Sequence, residues 1–146
     1  MERRELLKTF AAAAVGAISS TAMAEEHDHH HHHEAVKPYA GLAASSADCL
    51  QTGEACLAHC LVLLGQGDKV MAACAQSVNE LLAVCSTLQK LANQDSKRTP
   101  QFAKLAADVC ADCEKECRKH EKKHAECKAC ADSCAACLKE CQKLAV

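Results

Sequence analysis

The stretch "CKACADSCAACLKEC", residues 127–141, places cysteines at Cys127, Cys130, Cys134, Cys137 and Cys141, at intervals of three, four, three and four. That alternation marks one face of an α-helix, on which residues three and four apart are neighbours. The stretch holds no glycine, proline or β-branched residue, so nothing in it opposes a helix. An earlier stretch, "CADCEKEC" at residues 110–117, repeats the pattern with Cys110, Cys113 and Cys117. Two successive helices therefore each carry a stripe of thiols.

The rest of the chain extends the pattern. Its 146 residues suit one domain, with no Trp, one Tyr and two Phe. Such a core must be built from Ala, Leu, Val and Cys, and the scarcity of Gly (five) and Pro (two) favours helices throughout. A first helix is expected from about Leu42 to Leu64, ending at "GQGD". Asp68 can cap a second helix reaching about Ala92, and "NQDSKRTP" separates it from a third, with Thr99 as N-cap and Pro100 at the first helical position. The third runs through Cys117 to "RKHEKKH", and the fourth occupies roughly His124 to Leu144. Four helices of ~20 residues with short connections predict an all-α fold, an antiparallel up-down-up-down four-helix bundle over residues 41–146.

At ~100° per residue, Cys49, Cys56 and Cys60 fall within ~40° of one another on the first helix. Cys74 and Cys85 lie within ~20° on the second, beside Val78 and Leu81. Every cysteine thus sits on a single stripe of its helix, and antiparallel packing would point all four stripes at one axis.

The N-terminus reads as a targeting segment. "MERRELLKTFAAAAVGAISSTAMA", residues 1–24, has a charged start, an apolar middle and a small-x-small end at Ala22-Met23-Ala24. Arg3 and Arg4 resemble a twin-arginine leader, so export to the periplasm is expected. Residues 25–40 begin a polar tail with His27, His29, His30, His31, His32 and His33, expected to be disordered and to collect metal weakly. The apolar stretch of the leader is short for a membrane span, so no stable membrane insertion is expected. A net charge of −2 with interleaved Lys and Glu does not suggest nucleic acid, so no nucleic-acid partner is expected.

Thirteen cysteines in 146 residues call for an explanation, and the odd number prevents complete intramolecular pairing. Cysteine can serve as a small core hydrophobe, but alanine does that without a reactive group. Disulfide stapling suits an oxidising compartment, yet thiols three or four apart on one rigid helix are poorly oriented for each other. An iron–sulfur cluster would need the C-x₂-C-x₂-C-x₃-C-P run, which is absent. Zinc wants closed sets of four ligands, and each all-thiolate set would leave a −2 charge in a dry core. Cu(I) accepts two thiolates. With bridging sulfurs each copper can match one thiolate, so charge cancels along the bundle axis. Charge balance points to multiple Cu(I) ions per chain; zinc buffering and thiol-redox exchange are the alternatives. The missing βαβ context around any Cys-x-x-Cys weakens the redox reading.

The segment "CADCEKECRKHEKKHAECKACADSCAACLKEC", residues 110–141, resembles the cysteine-rich C-terminal half of the four-helix-bundle copper storage proteins. The five cysteines of the first two helices match that family's sparser N-terminal half, and the resemblance covers roughly residues 40–146. It implies a non-catalytic bundle holding many Cu(I) ions inside, with copper donors and copper-requiring acceptors as partners. It also implies homo-oligomers, tetramers in particular. The His-rich tail has no counterpart in the family pattern.

"HEKKH", His120 to His124, matches the H-E-x-x-H zinc-protease signature, but it sits in a Lys-rich hinge between two Cys helices. Its position is more informative, because the bundle topology puts His120 and His124 at the same end as His59 and Met71. Imidazole and thioether are weaker Cu(I) ligands than thiolate and suit an entry port. The alternative is a solvated turn with His59 on a helix flank. Leu50, Leu57, Leu61 and Leu64 form a second apolar band on the first helix. That band fits a subunit interface or packing against a neighbouring helix.

Overall fold

The structure is a computed structural model that describes residues 37–144; the leader expected over 1–24 and the tail histidines lie outside these residues. Four helices follow one another: α1 (Ala40–Gly65), α2 (Ala72–Asn93), α3 (Thr99–Arg118) and α4 (Ala125–Gln142), with a single 3₁₀ turn at Lys69–Met71 before α2. No strand occurs among the described residues.

The ends of the helices follow from local chemistry. After α1, Gly67 takes φ 93°, Asp68 N donates to Leu63 O at 3.0 Å and Gly67 N donates to Leu64 O at 2.9 Å. This is a Schellman closure, which satisfies the last carbonyls and needs the left-handed backbone that glycine adopts without strain. The end of α2 repeats it with Asp95 at φ 49°, where Asp95 N reaches Ala92 O and Ser96 N reaches Leu91 O. Asp carries that conformation less easily than Gly does.

Two expected caps differ in the structure. Asp68 caps the 3₁₀ turn, accepting from Val70 N at 3.2 Å, and α2 starts only after it. Thr99 is the first residue of α3, which puts Pro100 one position further in. The Thr99 side chain is fully buried and makes no hydrogen bond, because it packs inward. The turn before α3 is held instead by Ser96 Oγ, which accepts from Arg98 N at 3.3 Å.

α1 packs against α2 and α4, and α3 against the same two, while the diagonal pairs do not approach. Four helices joined in sequence by short connections thus stand at the corners of a square, as an up-down-up-down bundle requires. Gly53 lets α1 and α2 come close, since a Cβ there would meet Leu82 Cδ2 at 2.9 Å. The bundle's axis is lined by all thirteen cysteines, none more than 1% exposed. The bulky apolar part of the core comes chiefly from α2 and the turn before it, with Met71, Val78, Leu81 and Leu88 fully enclosed. Leu42, with half-buried Leu91 and Leu144, lies toward the end opposite the α1–α2 and α3–α4 connections.

Candidate metal centre

Each helix delivers its thiols inward at three- and four-residue steps, and the bundle brings these stripes into contact. Cys49, Cys85, Cys110 and Cys137, one from each helix, have Sγ atoms all within 4.8 Å of one another. A second quartet, Cys56, Cys60, Cys74 and Cys127, draws on α1, α2 and α4. Two triplets complete the set: Cys56, Cys117 and Cys130, and then Cys113, Cys130 and Cys134. Individual contacts are close, with Cys74 Sγ 3.7 Å from Cys117, Cys56 Sγ 3.8 Å from Cys127, and Cys113 Sγ 4.0 Å from Cys117. Cys141 joins through Cys137. All thirteen thiols are free.

Crowding divides the thiols into acceptors and donors of S–H hydrogen bonds. Cys110 and Cys134 donate to Cys49 and hold its thiol down to about 5. Cys117 does the same for Cys56 and Cys113, and Cys110 for Cys137, all of which lie well below the ordinary thiol range. The donors are correspondingly raised, Cys117 chiefly by Cys113 and Cys110 chiefly by Cys137. Burial is the largest cause for Cys60 and Cys127, which are pushed up. Cys49, Cys56, Cys113 and Cys137 are thus favoured as thiolates by neighbouring S–H groups, while burial keeps Cys60 and Cys127 protonated, and a soft cation can replace such protons.

The histidines gather at the end where α1 stops and α4 starts. His59 Nε2 and His124 Nδ1 are 2.9 Å apart, and the rings of His120 and His124 have centroids 6.5 Å apart. His120 Nε2 is buried without a hydrogen-bond partner. Met71, three residues before Cys74, is 1% exposed, so it lies in the core and not at the water boundary. "HEKKH" forms the turn between α3 and α4, with His124 an extended N-cap, so the two histidines do not share the helical face that a zinc protease requires.

Three residues missed in the sequence shape this end. Glu126 Oε2 lies 3.8 Å from His59 Nδ1, and Glu116 Oε1 lies 4.0 Å from His120 Nε2. Arg118 reaches Glu114, Glu121 and, on α4, Asp132 at 2.7 Å, tying the histidine-bearing turn to both helices. The spacing of Glu116 and His120 was a legible signal, being one helical turn; the contacts across helices had none.

The copper storage protein family (Csp) matches residues 35–146. An uncharacterized cysteine-rich protein, YhjQ, of Bacillus subtilis (strain 168) is 31% identical over 83 residues, spanning 57% of this chain and 73% of that protein. A solved structure described as Cu(I)-bound copper storage protein BsCsp3 is 27% identical, with TM-score 0.63 over 72% of this chain and 95% of that one. A copper storage protein from Streptomyces lividans, loaded with 10 copper equivalents, is 26% identical, with TM-score 0.66 over 73% of this chain and 82% of that one. The same organism's protein is also described, in a five-copper state of equal identity and TM-score, as a cytosolic copper storage protein. That description overturns the expected periplasmic location. Similarity to this fold does not carry export with it, and the leader that supported export lies outside the described residues. With its thiol-lined four-helix bundle and a match running from residue 35 to its end, this chain belongs to the copper storage protein family.

Proposed function

We propose that the bundle stores several Cu(I) ions on its cysteine thiolates, as cargo and without catalysis. The observation that carries this is the overlap of the thiol groups, since Cys56 and Cys130 each belong to two of them. Isolated quartets would suit separate zinc sites. A chain of shared sulfurs suits a metal that accepts two or three bridging thiolates and brings one charge per sulfur. The similarity to copper-loaded relatives supports the same metal.

Cys49, Cys56, Cys60, Cys74, Cys85, Cys110, Cys113, Cys117, Cys127, Cys130, Cys134, Cys137 and Cys141 hold the copper in this reading. His59, His120, His124 and Met71 handle its arrival, with Met71 just inside the histidines. Leu61 and Val62, 57% and 58% exposed on α1, offer the apolar surface for a homo-oligomer, a tetramer in particular. Among the described residues no helix is long and apolar enough to cross a membrane. Residues 41–146 act as the storage domain, with residues 25–40 a His-rich tail ahead of it.

Titration of the reduced protein with Cu(I) against a competing chelator tests the reading. Binding on the order of ten or more Cu(I) per chain is expected when thiolates bridge. Saturation at three metals, or tighter retention of Zn(II), replaces copper storage with zinc buffering.

A further inference from the structure

The thiol column is not uniform along its length. On α4 the cysteines step continuously from Cys127 to Cys141, and on α3 from Cys110 to Cys117. On α1 nothing lies between Cys49 and Cys56, a rise of about 10 Å, and on α2 nothing between Cys74 and Cys85, about 16 Å. Side-chain contacts fix what fills those gaps. Thr52 Oγ1 of α1 is 2.6 Å from Ser133 Oγ of α4, and Gly53 faces Val78 and Leu82 of α2. At that level two helices supply sulfur, and the other two supply Gly53 and the fully buried Val78.

The column therefore has a waist. On the histidine side stand Cys56, Cys60, Cys74, Cys117 and Cys127, linked where the second quartet and a triplet share Cys56. On the far side stand Cys49, Cys85, Cys110, Cys134, Cys137 and Cys141, with Cys134 in contact with Cys49. Cys130 is grouped with Cys56 and Cys117 on one side and with Cys134 on the other. Cys113 lies 4.0 Å from Cys117 and is likewise grouped with Cys134.

We propose that Cys113 and Cys130 are the transfer residues through which Cu(I) passes from the histidine-side thiols to the far thiols. Cu(I) moves between thiolates by ligand exchange. The bond to Cys117 or Cys56 breaks as one to Cys113 or Cys130 forms, and the thiol proton of the incoming ligand passes to the outgoing sulfur. Copper keeps its oxidation state throughout. An apolar gap offers no ligand for the intermediate, so a desolvated cation cannot cross beside Val78. The histidine-side thiols are then the rapidly exchanging store and the far thiols the slow one.

The proposal rests on the storage reading, and the experiment separates the two. Reduced wild type, Cys113→Ala/Cys130→Ala and, with the same number of thiols removed outside the waist, Cys60→Ala/Cys141→Ala are mixed with a coloured Cu(I)–chelator complex. Transfer is followed over time, and circular dichroism checks that each variant is folded. Wild type should fill both parts in its usual course, and the Cys60/Cys141 variant, with two storage thiols fewer, should reach a lower capacity but show no separate slow phase. The waist variant should fill its histidine side at the normal rate, about half its remaining thiols, and its far side at least about tenfold more slowly, a barrier rise of ~1.4 kcal/mol. Val78→Cys, which puts a thiol into the gap on α2, should restore the rate in that variant and speed far-side filling in wild type. If the waist variant does not fold, the wild-type Val78→Cys comparison still decides, and an unchanged rate there overturns the proposal. Complete filling of a folded waist variant at the wild-type rate also overturns it, whereas a wild type that takes up almost no Cu(I) overturns the storage reading instead.

Discussion

His59 Nε2 and His124 Nδ1 lie 2.9 Å apart although 65 positions separate them in the chain, so the end of α1 and the start of α4 meet through imidazoles. The thiols are wholly enclosed, and in the proposed route copper arriving at this end meets nitrogen before sulfur. Replacing His59, His120 and His124 by Ala, with Met71→Leu to keep the core filled, should slow Cu(I) uptake while leaving capacity nearly unchanged. Stopped-flow transfer from a coloured Cu(I) complex reads the rate, and its end point reads the capacity. A large loss of capacity would make these residues storage ligands; an unchanged rate would reduce them to a solvated turn.

Leu81 is fully buried on the helix that carries only two cysteines. The apo bundle is held by such side chains and not by metal, in contrast to folds in which the metal supplies the folding energy. Reduced apo protein should therefore be strongly helical by circular dichroism. Leu81→Ala should lower its stability by ~2–5 kcal/mol in a urea melt, through lost burial and the void left behind. A coil-like apo spectrum would contradict the bundle's independence of metal.

Burial holds the Cys60 and Cys127 thiols above their usual range, so both are protonated at neutral pH in the apo protein. Cu(I) must displace those protons. Loading should then acidify an unbuffered solution, and apparent copper affinity should fall as pH falls, since protons compete for the same sulfurs. Retention against a chelator of pH-independent affinity, compared at two pH values, measures the slope. Equal retention at both would mean that the metal rests mainly on thiols already ionised.

Gly53 sits where α1 and α2 come together, and its position combines two opposing effects. Gly53→Ala gains about 1 kcal/mol of helix propensity but sets a methyl 2.9 Å from Leu82 Cδ2, the mobile end of a half-buried side chain. The two should nearly cancel. Gly53→Leu cannot be absorbed that way and should cost ~1–3 kcal/mol, partly recovered by adding Leu82→Ala. Thermal melts of the three variants check the ordering.

The three- and four-residue steps of the cysteines determined the third and fourth helices, and composition with the breaks at GQGD and NQDSKRTP bounded the first two, so the stripe on each and the thiol-lined axis were legible in the chain. The positions of Gly67 and Asp68 likewise announced the first turn, since backbone φ above zero is a local property. Thr99 shows the limit of local rules. Its sequence neighbours mark it as a cap, and inward packing takes its hydroxyl away from the helix end. Met71 was legible as belonging to the histidine end, but its depth was decided by the bundle. The meeting of His59, Glu126 and His124, the reach of Arg118 to Asp132 and the narrowing of the sulfur column beside Val78 depend on axial register between helices far apart in the chain. Register is set by how whole helix faces interlock, with Gly53 against Leu82 and Thr52 against Ser133, and no single helix carries that information.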